Sequence, residues 1–405
     1  MSHFAVQTVR PEQTGPLAVQ VVRQYAPSRG GLEDVVANLS RELVKRGYRV
    51  RVVTLDQVFS ARDEVLPASE TIEGIEVVRI PFSGSTRYPL APQVLRHVRD
   101  ADLIHVHAID FFFDALAWGR LLHGRPMIAT THGGFFHTRK YAAVKAIWFN
   151  TLTRLSARAY HSIVGCSEQD ARVFRRIAGK RVREIVNGVD TGKFADAAAA
   201  SATRSIVTIG RFSVNKRLER LLDAMQALIA REPGWRLHIV GVPGDLSVDD
   251  LARLISERGL SGNVYAHIGR SNAEIRTLLG TCSLFASASD YEGFGLVAIE
   301  AMSAGLMPLL NPNTAYSDLA ARHGEIRLCD FDDPESAATA IAAAFRELEH
   351  DTPGYRQRAM IAAASYTWDR VAGRYAEIYR QVLDRPAAAI AVDEAGISVK
   401  QRAKT

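Results

Sequence analysis

The chain has 405 residues, 47% apolar and 23% charged, the balance of a soluble globular protein with room for two or three domains. Three scattered cysteines, Cys166, Cys282 and Cys329, exclude a disulfide framework and a metal knuckle, and the absence of an apolar signal core or of any apolar run near the roughly 18–20 residues of a membrane span leaves a cytoplasmic compartment as the expectation. The net charge of +6 is uneven: residues 1–190 hold 26 Lys+Arg against 18 Asp+Glu (+8), and the remainder 24 against 26 (−2).

Taken in chain order, short apolar runs alternate with helix-like stretches. "LAVQVV" (17–22) is followed by Gly30-Gly31 and then by 32–47, where Val35, Val36, Leu39 and Leu43 recur at helical spacing before Gly47. Strands are predicted at 49–55, 75–80, 102–108, 127–133 and 161–167. Residues 115–183 carry 13 basic side chains and two acidic ones, Glu168 and Asp170, which suits an anionic partner or a solvated basic face. After "ADAAAASATR" (195–204), read as near a domain junction, the alternation restarts with strands at 205–210, 236–241, 264–269, 283–288, 307–311 and 325–330. Such alternation predicts two α/β domains with doubly wound parallel sheets, whose ligands lie beyond the carboxyl ends of the strands. The boundaries are set at 1–190 and 191–366, with the last helix (367–385) returning to the first domain and a disordered tail at 386–405.

The residues with chemistry fall at strand ends. "DYEGFG" joins a strand to the helix "LVAIEAMSAG", with Glu292 in the loop and Glu300 in the helix. Glycines and a helix start suit a phosphate, while carboxylates suit sugar hydroxyls. The combination fits a sugar nucleotide; two unrelated glutamates is the plainer reading. Arg211 ends another strand and Lys216 follows five residues on, a pair that suits a diphosphate or ordinary surface basicity. Gly30-Gly31 permits close approach to phosphate or is a plain turn. His132, in "TTHGG", ends a strand. The pair His105 and His107 lacks further metal ligands, and Asp330-Phe331-Asp332 resembles a metal–diphosphate motif in a loop where acids are common.

Together, Gly30-Gly31, His132, "NGVD" (187–190), Arg211 with Lys216, and "EGFGLVAIE" (292–300) resemble the retaining glycosyltransferases of family 4, which have the GT-B fold; the resemblance covers about residues 17–385. "HGGFFHTRKYAAVKAIWFNTLTR" and "NPNTAYSDLAARHGEIRL" are most similar to the mannosyltransferases that extend diphosphopolyprenol-linked oligosaccharides in polysaccharide assembly. The resemblance implies that Arg211 and Lys216 hold the donor diphosphate, and that Glu292 binds sugar hydroxyls beside the amides of Phe294, Gly295 and Leu296. It implies that Glu300 binds the ribose, that His132 contacts the sugar, and that Gly30 and Gly31 shape the phosphate and acceptor side. It implies GDP-mannose as donor, a lipid-linked oligosaccharide as acceptor, and no metal or other cofactor. Ala286 and the loop "NPNTAYSD" depart from the family pattern near the donor sugar or base.

A lipid-linked acceptor gives the basic segment a use. On a wheel of 138–160, Tyr141, Val144, Trp148, Leu152 and Leu155 share one face flanked by Lys140, Lys145, Arg154 and Arg158, the pattern of an interfacial helix at the inner face of the cell membrane. The alternatives are a UDP-sugar donor with another acceptor, an epimerase or phosphorylase on a related scaffold, and a non-catalytic sugar-nucleotide binder. A nucleic-acid-binding role lacks any recognised module.

Overall fold

A computed structural model describes residues 14–28, 30–133 and 146–384, with the backbone alone for Arg62 and Asp63. Lys140, Lys145, Tyr141, Val144 and the tail from 385 onward lie outside the described residues. The described chain forms two units, one of residues up to Val186 and from Val371, the other Asn187–Arg370.

The first unit is built on a sheet of eight strands: β1 (Leu17–Val21), β2 (Arg49–Leu55), β3 (Ser69–Ile72), β4 (Ile75–Ile80), β5 (Leu103–His107), β6 (Met127–Thr130), β7 (Ser162–Gly165) and β8 (Val182–Glu184). Their order is β8-β7-β6-β5-β1-β2-β4-β3, parallel except for the antiparallel edge strand β3. Strands β1, β5, β6 and β7 are buried along their whole length, as central strands covered on both faces must be. That is why they read as apolar runs. The core gathers Val19, Val53, Ile104, Phe112, Met127 and Ile163. Helix α1 (Gly31–Lys45) buries Val35, Val36, Leu39 and Leu43, the stripe its spacing predicts. The short edge strands β3 and β8 and the hairpins at 57–65 and 83–90 carry no such apolar run.

The second unit has six parallel strands: β9 (Ser205–Ile209), β10 (Arg236–Gly241), β11 (Val264–Ile268), β12 (Leu284–Ser287), β13 (Met307–Leu310) and β14 (Arg327–Leu328), in the order β11-β10-β9-β12-β13-β14. The strand predicted at 325–330 shrinks to two residues at the sheet's edge. Of the alanines of 195–204, Ala197, Ala198 and Ala199 pack inside this unit: the amides of Ala198 and Ala199 donate to Ala304 O (2.8 Å) and Cys282 O (3.0 Å). Two parallel sheets of this kind are the Rossmann-like pair of the GT-B fold.

Helix α2 (Phe111–Trp118) follows β5, with the Asp110 carboxylate capping its start through Phe112 N at 2.9 Å. Helix α3 (Trp368–Leu383) closes the described chain and buries Val371, Ala372, Tyr375, Tyr379 and Val382.

Candidate functional site

Each sheet has a point where strand order reverses, and the loops after the two strands flanking it diverge to leave a crevice. In the second unit this point lies between β9 and β12. The loop after β9 runs from Gly210 to Lys216, and the loop after β12 contains Glu292. Topology alone therefore delivers both loops to one crevice. Hydrogen bonds then join them: Asp290 N donates to Asn215 O at 2.9 Å, and Asn215 Nδ2 donates to Tyr291 O at 3.2 Å. Arg220 clamps Asp290 (2.5 Å) from one side and Asp332 (2.7 Å) from the other.

Within that frame Lys216 Nζ meets Glu292 Oε1 at 2.6 Å, with side chains only 21% and 16% exposed. Partial burial strengthens the attraction over that of a surface pair. Arg211 is exposed, and its side chain makes no hydrogen bond or ion pair with the described residues. One cation is thus held against a carboxylate while the other stands free, which is what capture of an incoming diphosphate requires. A Cβ on Gly244 would come within 2.7 Å of Arg211 Cγ and 2.8 Å of Phe212 O, so the glycine makes room for the Arg211 stem.

Tyr316 completes the group. Its hydroxyl donates to Glu292 Oε1 at 3.1 Å and lies 2.9 Å from Ser287 Oγ. Burial first, and then the Glu292 charge, push its ionisation well above the ordinary range, so it stays a donor. The sequence reading missed this residue; its one signal was its place in "NPNTAYSD", the loop that departs from the family pattern. Tyr316 also explains Gly295, which starts helix α4 (Leu296–Ala304) with φ +89°. A Cβ there would sit 2.8 Å from Tyr316 Cε1 and 3.0 Å from Leu319 Cδ1. The first-turn amides of α4 lie at its positive dipole end, a place for negative charge, and of them Ala298 N already donates to Gly295 O at 3.0 Å.

Glu300 lies on α4, and Lys193 Nζ approaches its Oε1 at 3.4 Å. Burial raises the Glu300 pKa, and Lys193 opposes the shift. Lys193, another residue the sequence reading missed, also lies 4.6 Å above the Phe194 ring. The ring of Phe294 packs against Tyr366 at 5.7 Å, while Leu296 is 37% exposed. The Asp-X-Asp sequence is occupied structurally: Asp330 Oδ1 accepts from Asp332 N at 2.9 Å, and Asp332 pairs with Arg220. Among the described residues no group of three or more His, Cys, Asp or Glu is placed to hold a metal.

The remaining expected site residues lie in the first unit. Gly30 and Gly31 start α1 after β1, at the reversal between β1 and β5, with Glu33 and Asp34 in the same first turn. His132 follows β6 with φ +51°. Its ring points inward: Nε2 is 3.0 Å from His107 Nδ1, and Nδ1 is 3.8 Å from Cys166 Sγ. Burial lowers its pKa to about 3, so it is neutral at pH 7. Of the expected membrane residues, Trp148, Arg154 and Arg158 are exposed. The helical stretch here contains a π turn, Phe149–Thr153, and buries Phe149, Thr153, Ser156 and Ala157. Trp148 packs edge-on against Tyr88 at 6.2 Å and Leu152 is half-buried, while Trp148 and Leu155 remain 42% and 55% exposed.

Two Rossmann-like sheets with a charged pair at the reversal of the second are the frame of a GT-B glycosyltransferase, and the family comparisons give the class. Family profiles agree: Glycosyltransferase Family 4 matches residues 29–193 and Glycosyl transferases group 1 matches 192–365. The chain belongs to the family 4 glycosyltransferases. It is 44% identical to the GDP-mannose:cellobiosyl-diphosphopolyprenol alpha-mannosyltransferase of Komagataeibacter xylinus, over 91% of this chain and 93% of that protein. The enzyme of the same name from Xanthomonas campestris is 41% identical over 91% and 97%. Among solved structures, Anabaena HepE in complex with UDP shares the fold with a TM-score of 0.70 at 18% identity, covering 90% of this chain and 100% of that one.

Two outcomes are expected. Gly295→Ala should destabilise the protein by about 1–2 kcal/mol from the left-handed backbone and by about 1–3 kcal/mol more from the Tyr316 contact, read by chemical denaturation. Tyr316→Phe should leave the fold intact and lower kcat/KM for the donor about 5- to 10-fold, since removing one hydrogen bond costs about 1 kcal/mol.

Proposed function

We propose that this enzyme transfers mannose from GDP-mannose, with retention of anomeric configuration, to a cellobiose unit carried on diphosphopolyprenol at the membrane surface. One observation carries the proposal: the Lys216–Glu292 pair stands beside free Arg211 at a sheet reversal, in a chain 44% identical to an enzyme named for that donor and acceptor.

The chemistry follows from charge. Breaking the bond between sugar and diphosphate builds positive charge on the sugar and negative charge on the leaving group. Arg211, Lys216 and the amides at the start of α4 stabilise the leaving diphosphate, the work a metal ion does in other enzymes. As the diphosphate takes Lys216, Glu292 is released to accept hydrogen bonds from sugar hydroxyls, and Tyr316 keeps it oriented. Glu300 accepts from the ribose hydroxyls. The acceptor hydroxyl attacks from the face the diphosphate leaves, giving up its proton to a departing phosphate oxygen. His132, neutral, adds no positive charge beside the cationic sugar.

The acceptor's lipid requires a membrane-facing surface. Among the described residues no helix is long and apolar enough to cross a membrane. Exposed Trp148 and Leu155, flanked by Arg154 and Arg158, form an amphipathic edge that suits anionic headgroups.

Thermal shift with GDP, UDP, ADP and TDP tests the donor. Stabilisation by GDP and not by UDP, unchanged by EDTA, is expected; a shift with UDP alone would discard mannose from GDP-mannose as the transferred group, and loss of the GDP shift in EDTA would overturn the metal-free reading. Lys216→Ala should lower turnover by about 100-fold or more, because it removes a charge aimed at the leaving group. Co-sedimentation with anionic vesicles should occur at low salt, fade as salt rises, and weaken further in Arg154→Glu/Arg158→Glu; no binding at low salt would remove the membrane part.

A further inference from the structure

His132 does not stand alone: it ends a continuous chain of buried hydrogen bonds through the first unit. Gln20, on β1, fixes the direction. Its Nε2 donates to the Tyr379 hydroxyl at 3.0 Å, and its Oε1 faces His107 Nε2 at 2.8 Å. The amide oxygen can only accept, so His107 carries its proton on Nε2 and has a bare Nδ1. That Nδ1 lies 3.0 Å from His132 Nε2, which must then be the protonated nitrogen of His132. His132 Nδ1 is left bare toward the Cys166 thiol, 3.8 Å away. On the other side the Tyr379 hydroxyl, having accepted from Gln20, donates to His105 Nδ1 at 2.7 Å. His105 Nε2 donates to Thr130 Oγ1 at 2.7 Å, and the Thr130 hydroxyl lies 3.2 Å from that of Tyr375.

Every donor and acceptor in the chain points the same way, so each bond polarises the next. A second proton on His105 or His107 would set one donor against another, and one on His132 would enter Nδ1, where the buried Cys166 sulfur is only a weak acceptor. His107 and the Cys166 thiol face the His132 ring, and the neighbouring Asp170 carboxylate is taken up by Thr131 and by Cys166 N at 3.3 Å. The two tyrosines come from α3, so the last helix of the chain is wired to the His132 turn.

We propose that His107 and Gln20 are positioning residues, whose hydrogen bonds lock His132 as a neutral imidazole protonated on Nε2. This rests on reading His132 as the sugar-facing residue of the transferase. The lock keeps a cation away from the positively charged sugar and keeps the strained turn at His132 in one conformation. His107→Gln preserves both bonds, since an amide oxygen accepts from His132 and an amide nitrogen donates to Gln20. His107→Leu preserves neither. Gln20→Met removes the acceptor of the His107 Nε2 proton and so frees the His107 tautomer.

The test uses the full-length chain. Nitrogen NMR of histidine-labelled wild type reads the tautomer directly and needs no activity; His132 should show a protonated Nε2 and a bare Nδ1, and the opposite pattern overturns the proposal. With GDP-mannose and the lipid-linked acceptor, His107→Gln should retain kcat within about 3-fold, while His107→Leu should lose about 10- to 100-fold in kcat with donor KM changed less than about 3-fold. Burial, the cause of the low His132 pKa, persists in His107→Leu; what that variant loses is the acceptor that holds the proton on Nε2. Its nitrogen NMR should therefore show His132 shared between the two tautomers, while His107→Gln keeps the protonated Nε2 of the wild type. Equal losses in the Gln and Leu variants, or a Leu variant with the wild-type tautomer, would overturn the proposal. If the Leu variant does not fold, Gln20→Met, which leaves His107 Nε2 without its acceptor, carries the same tautomer test. A wild type that binds GDP yet shows no transfer would refute the transferase reading and leave the tautomer result standing.

Discussion

On the proposed function, the free enzyme has to store two opposite charges where a donor carrying both a diphosphate and a sugar will sit. The contact between Lys216 and Glu292 solves this. A half-buried lysine without a partner would be desolvated at a cost, and so would the glutamate. Paired with each other, both survive in the crevice until a ligand supplies a better partner for each. The diphosphate replaces Glu292 for the lysine, and sugar hydroxyls replace Lys216 for the glutamate. A nucleoside diphosphate without its sugar satisfies only the first exchange. The pair thereby favours the complete donor over its product, and release of the product restores the pair.

The rest of the second unit can be read as support for that contact. Arg220 spans Asp290 and Asp332, fixing the Glu292 loop at its base. Tyr316 holds the carboxylate from behind, and Gly295 exists in its left-handed form because the tyrosine ring fills the space a side chain would need. Lys193 and Glu300 repeat the arrangement on a smaller scale, a cation and a carboxylate holding each other on the adjacent helix. Gly244 has no side chain where the Arg211 stem packs.

Much of this was legible in the sequence, and the limits have physical causes. Central strands such as "LAVQV" and "LFAS" are buried on both faces, so they appear as unbroken apolar runs. Edge strands such as Ser69–Ile72 have no such requirement and leave little signal. Arg211, Lys216 and Glu292 could be placed at strand ends because loop and strand composition differ. Contacts across the fold were not readable: Tyr316 meets Glu292 from another helix, and nothing in either segment announces the other. The basic helix shows a different limit. A wheel assumes a constant angle per residue, and the π turn at Phe149–Thr153 changes that angle where the stripe was drawn.

The two units treat charge in contrasting ways. The second keeps its ions paired and exchangeable because a charged donor must enter. Around His132 the first unit uses neutral partners, a glutamine amide, two tyrosines, a threonine and imidazoles, all buried and nearly all satisfied by one another. A neutral chain costs less to bury than an ion and still fixes direction. That division suits a transfer in which negative charge grows at the leaving group and positive charge at the sugar. On the proposed function, the leaving group meets the cations Arg211 and Lys216, and the sugar meets a ring kept neutral by burial. Specificity for a transition state needs both, since a stray cation beside the sugar would raise the barrier that Arg211 and Lys216 lower.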